Sequence, residues 1–184
     1  AYILHMGVDT RTDAALGRDF TIASLKSDGF SAVFIGTGAH GRAYLDIPGE
    51  KEIAGVMDAV DFLGRVNAGQ RSRPGGTVAV VGGGNVAMDA ARTALRLGAE
   101  TVTIVYRRSR AEMPAFAEEI QEAEEEGISV MERAAPVRVL SADGRVSGIE
   151  CIRTQLGEPD AGGRRRPEPI PGSEFVVACD ALIP

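Results

Sequence analysis

The sequence has 184 residues, of which 44% are apolar, and its 20 basic against 26 acidic side chains give a formal net charge of −6. That length predicts one domain with a substantial core and excludes a second large one, and the acidic balance excludes general nucleic-acid binding, which needs positive charge to displace counterions from phosphates. No apolar run approaches the roughly 20 residues of a membrane-spanning helix, and the first residues show no signal-peptide pattern, so we expect a cytoplasmic protein without a membrane partner.

The first part of the chain contains little predicted structure. We expect a short strand at residues 7–10, a helical turn at 21–27 and an apolar strand at 31–35, which ends at a Gly-Thr-Gly sequence. About 40 residues can hardly cover both faces of such a strand, because strands need neighbours for their hydrogen bonds and their apolar faces. We therefore expect matching strands from a preceding part of a longer protein.

A turn, a helix and a connection come next. Residues 45–50 predict a turn, because Pro48 has a fixed φ and the glycine that follows tolerates unusual backbone angles. Residues 56–66 carry their apolar side chains on one helical face, which predicts a helix packed on a core. Residues 69–76 are polar and rich in helix breakers, so they predict a mobile connection.

A strand, a helix and a second strand form the centre of the sequence. Residues 77–81 are continuously apolar, as in a strand buried on both faces, and a glycine-rich turn follows them. An alanine-rich helix then runs to the region of Gly98, and residues 101–106 predict the second strand. Together these segments predict a βαβ unit with a right-handed crossover.

The remaining elements include one more helix and several strands. Residues 115–126 predict a helix with Phe116, Ile120 and Ala123 on its packed face, and its six glutamates predict a solvated face more simply than a docking surface for a basic partner. A strand at 128–131 is expected to extend the parallel sheet. We further expect an antiparallel hairpin of 137–140 with 146–153, a long exposed loop at 157–172, and strands at 175–177 and 181–183.

The turn after the first central strand matches the dinucleotide-binding pattern Gly-x-Gly-x-x-Gly/Ala. Gly82 allows the sharp turn, Gly84 lets a pyrophosphate approach the backbone, and Ala87 allows close packing of the helix. The anion would then meet free N–H groups at the positive end of the helix dipole. Two alternatives remain: a glycine-rich turn without a ligand, and a turn for another nucleotide such as S-adenosylmethionine.

The end of the second strand predicts which dinucleotide binds. NAD sites place an acidic residue there for the ribose 2′-hydroxyl, but this chain has the basic cluster Arg107, Arg108 and Arg110. Guanidinium groups suit a 2′-phosphate, because they offer forked donors and stay charged, so NADP is favoured over NAD. The alternative is a solvated strand end that pairs with the nearby Glu112. For residues 164–166, three arginines in a loop, solvation is the preferred interpretation.

No other group of residues predicts catalysis or metal binding. Cys151 and Cys179 form no Cys-x-x-Cys motif and are expected to be reduced and packed. His5 and His40 have no partners that a sequence could certify, and we interpret them as surface or boundary residues. The sequence therefore predicts no catalytic side chain and no metal site.

Four segments closely resemble the FAD- and NADPH-dependent small subunit of glutamate synthase and its relatives among the electron-bifurcating ferredoxin:NADP reductases and dihydropyrimidine dehydrogenase. They read AVFIGTGA at 32–39, IPGE at 47–50, VVGGGNVAMDAAR at 80–92 and IVYRRSRAEMP at 104–114. The resemblance implies an α/β fold: a Rossmann-like three-layer NAD(P)-binding domain of parallel sheet, helices and antiparallel β-meander, with partial FAD-domain strands at both ends.

The resemblance also implies a domain organisation. In such proteins the NADPH domain is inserted into the FAD domain, so residues 1–47 are expected to be a remnant of the flanking FAD domain, 48–179 the NADP-binding domain and 180–184 the start of the return. The family's FAD fingerprint does not occur in this sequence. FAD is therefore expected in the intact protein and not in this fragment, which alone should bind NADP weakly and catalyse nothing.

The function implied by the resemblance is hydride transfer from NADPH to FAD, with electrons passing on to an iron–sulfur partner or to the large synthase subunit. Arg107 and Arg108 would hold the 2′-phosphate with help from Arg110, and Glu119 is a further candidate near the ribose. The cofactor-binding residues at the glycine-rich turn would be Gly82, Gly83, Gly84, Asn85, Val86 and Ala87. Two rivals remain: a non-catalytic NAD(P)-binding sensor or structural subunit, and a family member that prefers NAD.

Overall fold

The helices and strands lie in two compact units of the computed structural model, residues 1–39 and residues 40–184, and the structure describes residues 3–38, 41, 44–159 and 163–184. The helices are α1 (Ile22–Ser27), α2 (Ala59–Asn67), α3 (Asn85–Arg96) and α4 (Ala117–Glu125). The strands are β1 (Thr77–Val81), β2 (Thr101–Val105), β3 (Ser129–Met131), β4 (Ala134–Ala142), β5 (Arg145–Pro159), β6 (Arg165–Ala178) and β7 (Ala181–Ile183). None of these helices has the length and apolar content that crossing a bilayer requires.

The first unit contains a 3₁₀ turn at Ile3–Met6 and helix α1, which confirms the helical turn predicted at 21–27. Thr21 caps α1, because its hydroxyl accepts from the amide of Ser24 at 3.0 Å. The strands predicted at 7–10 and 31–35 are wrong, since neither segment pairs with a described residue in a ladder, and Phe34 is 95% exposed. A strand needs a partner for its backbone groups, and apolar composition cannot supply one.

The second unit is built on a parallel sheet with the strand order β3-β2-β1-β7. The predicted βαβ unit is confirmed: β1 pairs in parallel with β2, and α3 connects them. The three central residues of β1 are buried, as expected for a strand covered on both faces. The alanines of α3 are buried, which allows the helix backbone to lie close to the sheet.

Two apolar clusters cover the two faces of this sheet. Val78 and Val80 of β1 face a cluster that contains the buried residues of α2, α3 and α4. Ala79, between them, faces a cluster with Ile149 and Cys151 of the second sheet. This alternation gives three layers of helices, parallel sheet and antiparallel sheet, which confirms the predicted α/β class.

The antiparallel sheet has the order β4-β5-β6. Its first turn is the predicted one: Ala142 pairs with Arg145, and Asp143 and Gly144 both have positive φ, at 51° and 76°. The long loop predicted at 157–172 is wrong, because β5 and β6 extend into it and Thr154 pairs with Pro169. The prolines are compatible with β6 because it is an edge strand, where a missing N–H need not cost a ladder bond.

The bounds of two helices differ from the prediction. Helix α2 begins at Ala59 and not at Val56, because Asp58 caps it by accepting from the amide of Asp61 at 2.9 Å. Helix α4 begins at Ala117, so Phe116 is its N-cap residue and is 65% exposed instead of packed. A helical pattern in a sequence does not show at which residue the helix is capped.

The turn at 45–50 and the connection at 69–76 are held by side-chain contacts that the sequence analysis missed. Glu50 is buried, and its carboxylate accepts from the amides of Leu45 at 2.8 Å and Asp46 at 2.9 Å. At the end of the connection, the amide of Gly76 donates to Asp180 Oδ2 at 3.0 Å. Both contacts tie a connecting segment to a defined position beside the sheet.

Candidate nucleotide-binding site

The sharp turn out of β1 begins at Gly82. Its φ is +147°, which side-chain-bearing residues rarely adopt, and its amide donates to the carbonyl of Val105 at 3.1 Å. A Cβ atom added to Gly82 would lie 3.2 Å from Cβ of Ala87. Gly82 and Ala87 therefore have the tasks that the fingerprint predicts, a tight turn and close packing of the helix on the strand.

Gly83, a variable position of the fingerprint, is also confined to glycine here. An added Cβ would lie 2.6 Å from Cε2 of Tyr106, whose ring covers this position. Tyr106 is held in turn by its hydroxyl, which donates to the carbonyl of Glu112 at 2.8 Å. The sequence analysis did not identify Tyr106 as part of the turn, because the pattern has no requirement at that position.

Gly84 caps helix α3 and leaves its first turn open. The residue has no side chain to accept from the helix, and its φ of −95° is an ordinary one. In the described part of the chain the amides of Asn85 and Val86 donate no hydrogen bond, and both residues are exposed. The nearest heavy atom to an added Cβ at Gly84 is Cγ of Pro114, 3.9 Å away. Unpaired amides at the positive end of a twelve-residue helix form a site suited to an anion.

The side chain of Asn85 points to the neighbouring helix. Its Oδ1 accepts from the amide of Phe116 at 3.1 Å and so ties the start of α3 to the start of α4. Val86 remains exposed beside it.

A cleft of about 440 Å³ lies beside this turn, at the carboxyl ends of β1 and β2. The carboxyl ends of parallel strands are where open α/β sheets bind ligands, because the loops there diverge. Its lining includes Gly82, Tyr106, Arg107, Arg108, Pro114 and Arg164. The structure thus brings the glycine-rich turn and the first two predicted arginines to one cleft.

Arg107 and Arg108 have different surroundings within the cleft. Arg107 is exposed, and its carbonyl accepts from the Thr154 hydroxyl at 2.7 Å. Arg108 is only 6% exposed, and its Nε donates to the carbonyl of Arg165 at 2.7 Å. The backbone of β2's end is therefore fixed by the antiparallel sheet, which leaves the Arg107 side chain as the more accessible cation.

Glu112 does not neutralise these two arginines. Its carboxylate lies 3.0 Å from Nη2 of Arg165. The hydrogen bond from the Ser109 hydroxyl, and secondarily the contact with Arg165, hold the pKa of Glu112 below its usual value. The alternative in which Glu112 pairs with Arg107 or Arg108 is not what the structure shows.

Arg110 and Glu119 do not line the cleft. The guanidinium of Arg110 pairs with Glu124 of α4. Oε2 of Glu119 lies 3.1 Å from Nη1 of Arg92 on α3. The structure therefore separates these two predicted residues from Gly82, Arg107 and Arg108.

The three arginines at 164–166 are more organised than the predicted solvated loop. Arg164 lines the cleft, Arg165 pairs with Glu112, and Arg166 is an exposed residue of β6. The sequence analysis missed Arg164 as a cleft residue. A group of arginines in an acidic chain, the pattern that identified Arg107, could also have identified Arg164 as a candidate.

The remaining predictions concern cysteines, histidines and metals. Cys151 and Cys179 are free and buried, as predicted. His5 is exposed, and His40 lies outside the described residues. Among the described residues there is no group of three histidine, cysteine or acidic side chains that could hold a metal ion.

Comparisons with known proteins agree with this fold. A family model described as pyridine nucleotide-disulphide oxidoreductase matches residues 6–173. The NADPH-Fe(3+) oxidoreductase subunit beta of Geobacter sulfurreducens is 49% identical over 99% of this chain, which covers 27% of that protein. The glutamate synthase [NADPH] small chain of Halomonas elongata is 42% identical over 97% of this chain and 39% of its own length.

A solved structure shows the same fold at lower sequence similarity. The structure of Mycobacterium tuberculosis FprA in complex with NADPH matches 92% of this chain and 52% of its own, with 19% identity and a TM-score of 0.71. The chain thus spans about a quarter to two fifths of the curated relatives just described and about half of this structure.

Proposed function

The chain belongs to the pyridine nucleotide-disulphide oxidoreductase family, and from this premise we propose that residues 48–179 are the NADPH-binding domain of a flavoprotein oxidoreductase. In the intact protein, hydride passes from NADPH to FAD, and electrons pass on to an iron–sulfur partner, as in a glutamate synthase small subunit. The names of the relatives support the choice of nucleotide, since those from Geobacter sulfurreducens and Halomonas elongata are both described with NADPH.

One observation carries the proposal: the turn at Gly82 lines a cleft that contains two arginines, and the same turn leads directly into the unpaired amides at the start of α3. The amides of Asn85 and Val86 are exposed at the start of α3, and Gly84 leaves room for a phosphate to approach them. A pyrophosphate at this position would gain hydrogen bonds from the amides and favourable interaction with the helix dipole. The residues present therefore fit the dinucleotide.

The lining of the cleft supports NADP over NAD. Arg107 and Arg108 border it, and no Asp or Glu is among its described lining residues. A carboxylate would be needed to accept from a ribose 2′-hydroxyl, whereas guanidinium groups suit a 2′-phosphate. We propose Arg107 and Arg108 as the binding residues for that phosphate. Roles for Arg110 and Glu119 rest on the family resemblance alone, since both side chains are ion-paired elsewhere.

The part of this chain in the chemistry is to hold the nucleotide. Bound NADPH supplies the hydride and needs no general acid from the protein, so orientation is the contribution that the domain makes. The proposed partners are the FAD domain of the same parent chain and an iron–sulfur or large synthase subunit. A relative described as a subunit beta supports the presence of such a partner.

Calorimetric titration with NADP and NAD tests the nucleotide assignment. We expect the chain to prefer NADP, and Arg107→Ala to lower its NADP affinity by about tenfold or more, the usual value of a charge-assisted hydrogen bond to phosphate, with the NAD affinity unchanged. Arg145→Ala, which removes an exposed arginine at the β4–β5 turn, is the control and should change neither affinity. Equal affinities for the two nucleotides, or unaltered NADP binding in the Arg107→Ala, Arg108→Ala double variant, would exclude the assignment.

A separate experiment tests the hydride acceptor. We expect the full-length protein to purify with bound flavin whose absorbance bleaches on addition of NADPH. A full-length protein that binds NADPH but contains no flavin and accepts none would support the non-catalytic sensor or structural subunit instead.

A further inference from the structure

We propose that Arg164 is a specificity-determining residue for the 2′-phosphate and binds it together with Arg107. This inference rests on the proposed function. Arg164 lies 57 residues after Arg107 in the chain, next to the antiparallel sheet. That sheet would therefore contribute to the discrimination between NADP and NAD.

Arg164 reaches the cleft because strands β5 and β6 extend beyond the core of their sheet. Pro159 pairs with Arg165, so the residue immediately before β6 lies at the end of this two-stranded extension. Arg164 borders both the 440 Å³ cleft and a neighbouring open groove of about 550 Å³. Its side chain is therefore at the boundary of the nucleotide cleft and is exposed to solvent.

Hydrogen bonds fix the residue next to Arg164 relative to the end of β2. The carbonyl of Arg165 accepts from Nε of the buried Arg108 at 2.7 Å. The guanidinium of Arg165 pairs with Glu112, with Nη2 and Oε1 3.0 Å apart. Backbone and side chain of Arg165 are thus both attached to residues 108–112, which limits the movement available to Arg164.

A second set of contacts attaches β5 to the same place. The Thr154 hydroxyl donates to the carbonyl of Arg107 at 2.7 Å, and the amide of Thr154 donates to the carbonyl of Arg133 at 2.9 Å. The amide of Arg133 donates in turn to the carbonyl of Arg108 at 3.0 Å. These hydrogen bonds join the segment that contains Arg107 to the strand pair that leads to Arg164. Two of the residues that form them, Arg108 and Thr154, are buried.

The charges favour an anion on the cleft side of Arg164. The cleft has Arg107 and Arg108 in its lining and no described carboxylate, whereas the groove on the other side contains Glu112. A phosphate monoester carries a charge of about −1.5 to −2 at neutral pH and is best bound by more than one guanidinium. Arg107 and Arg164 are exposed whereas Arg108 is buried, so Arg164 would add a second solvent-accessible guanidinium to the two arginines at the end of β2.

The test compares two single variants in the full chain, Arg164→Ala and Arg166→Ala. Both remove one arginine from the same segment, but Arg166 borders neither the cleft nor the groove. Affinities for NADP and NAD are measured by calorimetry at about 0.15 M salt, and thermal melting verifies that the variants fold. We expect Arg164→Ala to weaken NADP binding about tenfold with NAD binding unchanged, Arg164→Lys to weaken it less, and Arg166→Ala to change NADP binding less than twofold.

The outcomes separate this inference from the proposed function. A wild-type chain that does not prefer NADP over NAD overturns both. If the wild type prefers NADP and Arg107→Ala removes the preference, but Arg164→Ala behaves as Arg166→Ala does, only the role of Arg164 is overturned. Equal losses of NADP and NAD affinity in Arg164→Ala would likewise exclude it from the 2′-phosphate site.

Discussion

Three consecutive glycines at the turn after β1 are needed for three different reasons. Gly82 has a φ that side chains disfavour, Gly83 lies against the Tyr106 ring, and Gly84 leaves the end of α3 open to a ligand. The first two requirements concern folding, whereas the third concerns the proposed binding of a phosphate. Substitutions should therefore separate the two properties within a single tripeptide.

Gly83→Ala is expected to destabilise the fold. The new Cβ would lie 2.6 Å from the Tyr106 ring, which is buried and hydrogen-bonded to Glu112 and so cannot move freely. Overpacking of this kind typically lowers the free energy of unfolding by about 1–3 kcal/mol. Urea denaturation measures the change, and an unaltered midpoint would show that the ring is free to rotate away.

Gly84→Ala is the matched variant, and we expect it to weaken NADP binding while stability stays nearly unchanged. Its φ of −95° is compatible with alanine and the nearest atom to the new Cβ is 3.9 Å away, so we expect a stability within about 1 kcal/mol of the wild type. The methyl group would nevertheless occupy the approach to the Asn85 and Val86 amides. NADP affinity should therefore fall about tenfold or more. Unaltered NADP affinity in this variant would argue against a pyrophosphate at the helix end.

The two cysteines give a prediction about pH. Burial, and secondarily the neighbouring Cys179, raise the pKa of Cys151 to about 12, and burial raises the pKa of Cys179 to about 11. These values exceed the usual thiol pKa of 9.0, so the thiols of the unfolded chain lose their protons first as pH rises. The free energy of unfolding therefore falls above about pH 9.

Thiol alkylation and alkaline denaturation measure these effects. We expect iodoacetamide to label neither cysteine in the folded chain at pH 8 and to label both in urea. The free energy of unfolding should fall between about pH 9 and 11, and less steeply in Cys151→Ala. Rapid labelling of the folded chain would contradict the burial of the thiols.

At the scale of the elements, helices α3 and α4 are joined by an ion-pair network. Arg92 is largely buried between Glu122 and Glu126, with Nη2 2.7 Å from a carboxylate oxygen of each. Glutamates at four-residue spacing repel one another in an isolated helix. Here the arginines of the neighbouring helix offset that repulsion, so the acidic face of α4 is partly an interface and not only a solvated surface.

Glu126→Gln should therefore destabilise the pair of helices at neutral pH. Hydrogen bonds first from Arg96 and then from Arg92 hold the pKa of Glu126 below its usual value, so its contribution is present above the usual glutamate pKa and is lost as pH falls through the lowered one. We expect a loss of roughly 1 kcal/mol at pH 7 that disappears towards pH 2. Glu118→Gln, at an exposed position of α4, is the control for urea denaturation and should change stability by less than about 0.5 kcal/mol. A loss that persists at pH 2 would exclude the ionic explanation.

At the scale of the whole second unit, the antiparallel sheet helps to form the cleft proposed to bind the nucleotide. The cleft combines residues from the ends of β1 and β2 with Ala135, Pro136 and Arg164 from the second sheet. Thr154 is a connection between these parts, because its buried hydroxyl donates to the carbonyl of Arg107. Loss of this bond would affect both folding and the position of Arg107.

Thr154→Val tests this connection with little change of volume. We expect the free energy of unfolding to fall by about 1–3 kcal/mol, because the carbonyl of Arg107 loses a partly buried hydrogen bond, and NADP affinity to fall several-fold. Thr103→Val in β2 is the control, since the Thr103 hydroxyl forms no hydrogen bond among the described residues. A normal NADP affinity in Thr154→Val would show that β2 holds Arg107 without the second sheet.

Local patterns predicted the central elements well. Both central strands, α3 and the glycine-rich turn follow from short-range spacing of apolar and glycine residues, and the structure places them as expected. The extension of β5 and β6 into residues 157–172 was not predicted, because prolines and glycines favour a loop when the partner strand is unknown. The predicted strand at 31–35 was wrong for the converse reason, since apolar composition was present and no described partner was.

The sequence by itself determined the βαβ unit, the dinucleotide fingerprint and the basic cluster after β2, because each depends on residues within a few positions of one another. Only the tertiary structure decided which arginines share the cleft. It directs Arg110 and Glu119 to ion pairs on the helices, and it brings Arg164, the residue before β6, to the cleft that Arg107 also lines. Pairing between remote strands sets those positions, and the hydrogen bonds that define it leave no periodic signal in the chain.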